Sequence, residues 1–135
     1  MTSSGVERVA SCCCGQLVAH TRGEPARVSV CHCLACQRRS GSVFAEQARF
    51  DRTQVTIEGQ ATEYRRTGDE GTTAVFAFCP VCGTTVHYRP EARDDIVVIP
   101  VGAFADPGFP APSVSVYNDR KHAWVTMPEG IEMID

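Results

Sequence analysis

The sequence is poor in the features that most often announce a partner. Its 13 Lys and Arg and 16 Asp and Glu residues are spread along the chain for a net charge of −3, and no basic stripe points to nucleic acid. No apolar run is long enough to span a bilayer. The segment Met1-Thr2-Ser3-Ser4-Gly5-Val6-Glu7-Arg8 lacks the basic start and apolar stretch of a signal peptide. There is no Gly-rich phosphate loop, no nucleotide fingerprint and no Ser-His-Asp arrangement with local support, so nucleotide chemistry and serine hydrolysis find no footing. Internal repeats are absent. Helix is scarce too: only Leu34 to Ser40, ended by Gly41, reads as a turn or two of it.

What is present is short β-type runs and cysteine. With 135 residues, 43% of them hydrophobic, the chain is expected to form a single domain over residues 1–135 with a modest core. Val28-Ser29-Val30, Val55-Thr56-Ile57, Thr73-Ala74-Val75-Phe76-Ala77-Phe78, Thr85-Val86-His87-Tyr88 and Ile96-Val97-Val98-Ile99 are rich in branched and aromatic residues. Glu58-Gly59, the stretch 67–71 and Asp106-Pro107-Gly108 punctuate them as turns. The Pro-rich stretch 107–112 reads as an ordered loop wrapping the domain. The expected fold is mainly β, built of antiparallel sheets.

All eight cysteines fall into three clusters, Cys12-Cys13-Cys14-Gly15, Cys31-His32-Cys33-Leu34-Ala35-Cys36 and Cys79-Pro80-Val81-Cys82-Gly83, and seven of them belong to sets that a metal could grip. In a cytosolic setting, which we expect here, clustered thiols mean metal or redox chemistry more often than disulfides. The two-residue spacing of Cys79 and Cys82 lets both sulfurs face one metal. In an extended segment Cys12 and Cys14 point to one side and Cys13 to the other, as a buried small hydrophobe. Pairing Cys12 and Cys14 with Cys79 and Cys82 gives a four-sulfur zinc site stapling the first strand to a distant hairpin. A redox dithiol at Cys79 and Cys82 is the alternative, but the chain lacks the βαβ setting such a motif needs.

Cys31, Cys33 and Cys36 end a strand and open a helix, so their sulfurs can converge near a helix N-terminus. Three ligands with an open fourth position describe a catalytic zinc site. Closure by His32 or by a distant residue, or an empty cluster that merely packs, are the alternatives.

The order Cys-x-Cys-Gly, then Cys-His-Cys-x-x-Cys followed by Ser40-Gly41-Ser42, then Phe78-Cys79-x-x-Cys82-Gly83-Thr84, resembles the glutathione-dependent formaldehyde-activating family. The stretch from Val101-Gly102-Ala103-Phe104 through Asp106-Pro107 to Trp124 is similar to that family's C-terminal part, so the resemblance runs from about Val9 to the end. It implies a β-tent fold of coiled antiparallel sheets and a structural zinc on Cys12, Cys14, Cys79 and Cys82. It also implies a catalytic zinc on Cys31, Cys33 and Cys36, the more labile of the two. The implied activity is that of a carbon–sulfur lyase joining glutathione, or a similar thiol, to formaldehyde or a related small aldehyde. Two features depart from the pattern: the extra Cys13, and Gln37 where a basic residue is common.

A site with three thiolates favours binding and orienting a soft thiol over activating water. Arg38 and Arg39 are candidates to pair with the thiol's carboxylates; a solvated surface is their alternative. His32 is expected to hydrogen-bond backbone and hold the cysteine loop. His87 reads as packing or surface, Asp94-Asp95 as a solvated turn, and Phe104, Phe109, Tyr117 and Trp124 as core more than pocket wall. Two other functions fit the same residues: a non-catalytic thiol carrier, and a zinc-stabilised interaction module. Exposed β edges make a homodimer an expectation.

Overall fold

The computed structural model describes residues 5–134. Eleven strands and one α-helix follow each other in the order β1 (Glu7–Ser11), β2 (Val18–Arg22), β3 (Arg27–Cys31), α1 (Leu34–Ser40), β4 (Ala45–Asp51), β5 (Val55–Glu58), β6 (Thr62–Thr67), β7 (Thr73–Phe78), β8 (Thr85–Pro90), β9 (Ile96–Pro100), β10 (Val114–Val116) and β11 (Glu132–Ile134). They form two open sheets, β1-β2-β5 and β11-β10-β3-β4-β9-β8-β7-β6. The expected runs all lie within strands, and the helix has the expected bounds. It starts because Cys33 caps it, its sulfur accepting the amide of Cys36, and it ends where Gly41 takes a left-handed conformation at φ 69°.

The antiparallel expectation holds for most pairings but not at one edge. There β10 runs parallel to β3, and β11 parallel to β10. The Pro-rich loop makes this possible, because it carries the chain from the end of β9 back to the start of β3 instead of through a tight hairpin. Phe109 within that loop stacks on Phe104 with ring centroids 4.7 Å apart.

The core lies between the sheets. Ala10 and Ala19 from the small sheet, with Leu17 beside them, meet Val28, Ala48, Phe50, Val86 and Ile99 from the large one. Small side chains let the sheets approach closely around Phe50. Cys12 and Cys79 belong to this same cluster, so one cysteine site is rooted in the core. Gly59 is the tightest backbone contact: at φ 103°, a β-carbon there would overlap the carbonyl of Gln16.

Two features of the large sheet position the other site. Pairing of β10 with β3 sets Val116 beside Cys31, and the β6–β7 hairpin turns over at 68–72, with Gly68 N–H donating to Thr72 O.

Candidate metal centres

Two local turns build the first centre. Cys12 N–H donates to Leu17 O at 3.0 Å and Cys79 N–H to Thr84 O at 2.9 Å, so each turn folds its sulfur inward over the same five-residue span. Backbone amides then point at the sulfurs: Leu17 N lies 3.2 Å from Cys12 Sγ, and Val81 N lies 3.3 Å from Cys79 Sγ. The side-chain amide of Gln16 adds a donor to Cys79 Sγ at 2.9 Å. The sulfurs of Cys12, Cys14, Cys79 and Cys82 all fall within 4.8 Å of one another. Cys14 Sγ is 3.6 Å from both Cys12 Sγ and Cys79 Sγ. A tetrahedron of thiolates at zinc–sulfur distance has edges of about 3.8 Å, so this set fits a four-coordinate metal of that kind.

Cys12 and Cys14 come together through a turn and not, as expected, along an extended segment. Strand β1 stops at Ser11, and residues 12–15 form a turn closed by Gly15 N–H on Cys12 O at 3.1 Å. Cys13 sits at the tip of that turn and is exposed, not buried. Its N–H, not its sulfur, is engaged, donating to Thr84 Oγ1 at 3.2 Å.

The second centre lies where β3 meets α1. Cys31 ends the strand, Cys33 caps the helix, Cys36 lies in its first turn, and their sulfurs also fall within 4.8 Å of one another. Hydrogen bonds received from Cys31 and Cys33, with the Arg39 guanidinium alongside, hold the Cys36 thiol down at about 6 against the effect of burial. Donating to Cys36, and burial, push Cys31 up. The four-cysteine set splits in the same way. Thr84, through hydroxyl and amide, holds Cys82 down at about 5. The backbone N–H of Gln16 pulls Cys14 downward, but burial and hydrogen bonding to Cys79, Cys12 and Cys82 outweigh it and raise that thiol to about 12. Thiols this close cannot all ionise side by side, and a bound dication removes the conflict.

The loop between the ligands is locked from behind. His32 is fully buried, and its Nε2 meets Ser115 Oγ at 3.0 Å. Ser115 spends its own hydrogen on Asn118 Oδ1 at 2.6 Å, so Nε2 must carry the proton it donates. The expected backbone partner for this ring is therefore replaced by a side-chain hydroxyl. The backbone of His32 is held separately: its N–H donates to Val116 O at 3.1 Å, and its carbonyl accepts Gln37 Nε2 at 2.8 Å. Gln37 also reaches Arg120 O and His122 Nε2. Gln37, one of the two departures noted in the sequence, is thus a hub joining the cysteine loop to the C-terminal segment.

The three cysteines open into a cleft of about 590 Å³. Arg66, Asp69 and Glu70 reach it from the β6–β7 hairpin, and Tyr117 and Arg120 from the opposite side. Tyr117 holds a left-handed backbone at φ 56° and ψ 46°, and its hydroxyl donates to Glu70 Oε2 at 3.2 Å across the opening. Arg38 and Arg39 do not line this cleft. They border an adjoining one that shares Leu34, Ala35 and Arg66 with it. The Arg39 guanidinium lies 4.9 Å from the Tyr88 ring centre and 5.3 Å from that of Phe76. Of the four aromatic candidates, Tyr117 lines the cysteine cleft, Phe104 and Phe109 pack together, and Trp124 is 73% exposed. Asp95 is tied to Arg93 and His87 is half-buried in β8. The reading of residues missed Arg66, Glu70 and Arg120, which carry no motif and reach the cleft only through the hairpin and the C-terminal turn.

The sequence profile described as glutathione-dependent formaldehyde-activating enzyme matches residues 7–120. The chain belongs to that family. The seven cysteines of the two groups all lie within the match. No curated protein sequence matches the chain. A solved structure of a Rhodobacter sphaeroides protein superposes with a TM-score of 0.55 at 22% identity, covering 74% of this chain and 88% of that one. At that identity the likeness speaks to the fold. Both cysteine groups of this family member can hold a metal ion, consistent with zinc. No helix among the described residues is long and apolar enough to cross a membrane.

Proposed function

We propose that this family member is a zinc-dependent carbon–sulfur lyase that joins a thiol such as glutathione to formaldehyde or a related small carbonyl. The observation that carries this reading is the division of labour between the two cysteine groups. One set of four is complete and rooted in the core. The other has three sulfurs and opens into a cleft large enough for a small peptide.

Zinc bound by Cys31, Cys33 and Cys36 would supply a Lewis-acidic position suited to a soft thiolate. The chain's own residues do the rest. Gln37 and the His32–Ser115 bond fix the cysteine loop so that the three sulfurs keep one geometry. Arg39, held by Tyr88 and Phe76, keeps positive charge beside Cys36. Arg38 and Arg39 stand within reach of a carboxylate on one arm of the thiol, because their cleft is continuous with that of the cysteines. The thiol sulfur attacks the aldehyde carbon, a C–S bond forms, the C=O π bond opens, and the thiol's proton ends on the new hydroxyl oxygen. The product is an S-hydroxymethyl thioether.

The eight free cysteines suit a reducing compartment, and we place the protein in the cytoplasm as one domain over 1–135. The exposed edge strand β6 suits a homodimer. The deciding experiment is the rate of S-hydroxymethylglutathione formation at fixed reactant concentrations. A rate above the uncatalysed one supports the enzyme. Glutathione binding with only the background rate makes the protein a carrier, and neither binding nor rate makes it an interaction module.

A further inference from the structure

Strand β3 carries Arg27, Ser29 and Cys31 on one face, while Val28 turns to the core. Across the ladder on β4, Ala45 opposes Cys31, Gln47 opposes Ser29 and Arg49 opposes Arg27. A file of polar side chains therefore leads away from the cysteine cleft and ends at two facing arginines. Like charges directly opposite one another destabilise a strand pair. Neither guanidinium has a hydrogen-bond or ion-pair partner among the described residues to offset this opposition. The acid that acts on Arg49, Asp95, is taken up by two hydrogen bonds of 2.8 Å from Arg93. Burial, Arg27 and Arg93 all push Arg49 down, and Asp95 alone opposes them.

The two arginines flank a recess of about 140 Å³ with Ser29, Gln47 and Tyr88, against about 30 Å³ for one water. Its hydrogen bonds leave a donor to spare. Tyr88 donates to Gln47 Oε1 at 2.6 Å and Gln47 Nε2 donates to Ser29 Oγ at 3.2 Å. The hydroxyl hydrogen of buried Ser29 has no acceptor among the described residues. The recess shares Ala74 and Pro90 with the cysteine cleft, and four residues of strand separate Arg27 from Cys31, a span of about 13 Å.

We infer that Arg27, Arg49 and Ser29 form an anion subsite that receives a carboxylate of the thiol partner. This rests on the lyase reading for the identity of that partner. Arg38 and Arg39 border a second basic region that adjoins the cysteine cleft through Leu34, Ala35 and Arg66, with Arg39 packed on the Tyr88 ring that also lines the recess, so the protein takes a thiol that carries two carboxylates. Single-carboxylate and neutral thiols fit the sulfur position but leave one or both basic regions empty.

The probe is S-methylglutathione, which keeps both carboxylates but has no free thiol, so its binding is independent of turnover. Calorimetry on the zinc-loaded protein should show binding that weakens about tenfold or more in Arg27→Gln and in Arg49→Gln, and that recovers in part in Arg49→Lys. Equal affinity in wild type and variants overturns the subsite, as does no binding to wild type at millimolar concentration, whatever the adduct-forming rate. Should either variant fail to fold, wild type is compared with S-methylglutathione and its dimethyl ester. Tighter binding of the acid supports the subsite, and equal affinities overturn it. Loss of adduct formation with intact S-methylglutathione binding would instead remove the lyase reading alone.

Discussion

Gln16 donates its side-chain amide to the sulfur of Cys79, 63 residues further along the chain, at 2.9 Å. The same nitrogen donates to Gln60 O at 2.8 Å, and Gln16 Oε1 accepts Gln60 N–H at 3.0 Å. One side chain thus ties the first cysteine turn, the second cysteine turn and the connection after β5. A donor aimed at a thiolate stabilises its charged form and orients it for a metal.

Replacing Gln16 by Ala should therefore weaken metal retention at the four-cysteine centre by about tenfold or more. Timed transfer of metal to a chromophoric chelator reads this directly. Transfer at the wild-type rate would mean that the Gln16–Cys79 bond contributes nothing to the site.

Much of this architecture is legible in the residues, and the losses have physical causes. Strand β7 and strand β9 announce themselves because both are largely buried, and α1 because a cap and a Gly stop bracket good helix formers. Strand β6, Thr-Glu-Tyr-Arg-Arg-Thr, is an exposed edge whose residues owe their conformation to pairing with β7, not to their own preference. The parallel β10 and β11 are three residues each, too short for any pattern to register. The two cysteine groupings follow from spacing, but the exposure of Cys13 depends on a turn where a strand was expected. The opposition of Arg27 and Arg49 is a matter of register, which no local motif records.

The two centres should respond differently to the loss of one sulfur. Cys79 is fully buried in the core cluster. A structural zinc contributes on the order of 10 kcal/mol, comparable with the whole stability of a domain, so Cys79→Ser should not fold at ambient temperature. Cys36 is half-exposed at the cleft and its helix buries no residue. Cys36→Ser should melt within a few degrees of wild type, carry one metal fewer, and form adduct at least about 100-fold more slowly. Metal analysis and thermal melts on both variants check this. A Cys36→Ser protein with full metal content and full rate would end the case for a catalytic second centre.

Stability should also report His87. Burial holds its imidazole below the ordinary value of 6.5, with Glu63 opposing. The unfolded chain therefore takes up this proton first. The contribution of His87 is fully present above about pH 6.5 and is lost as pH falls from there through the lower folded value. His87→Gln should shed part of the acid sensitivity of the wild type. Urea midpoints of both proteins at pH 7.5 and 5.5 make the comparison, and loss of metal on acidification cancels between them. Identical shifts in the two proteins would exclude His87 as a source.

Ser115 decides the state of the imidazole behind the cysteine loop. Because Ser115 gives its only hydrogen to Asn118, it can meet His32 Nε2 only as an acceptor. That leaves His32 Nδ1 as a buried acceptor with no partner among the described residues. Replacing Ser115 by Ala strands the second ring nitrogen as well, and removes one support of Asn118, which bonds Ser115 O and Ile134 O next to the left-handed Tyr117. An unpaired buried donor costs about 1–3 kcal/mol. Ser115→Ala should therefore lose stability of that order in urea titration. If Tyr117 is positioned through Asn118, the variant should also bind glutathione more weakly with its metal content unchanged. A loss below about 0.5 kcal/mol, within the range of an ordinary surface change, would show that the ring is held by packing against Phe44 and not by this hydrogen bond.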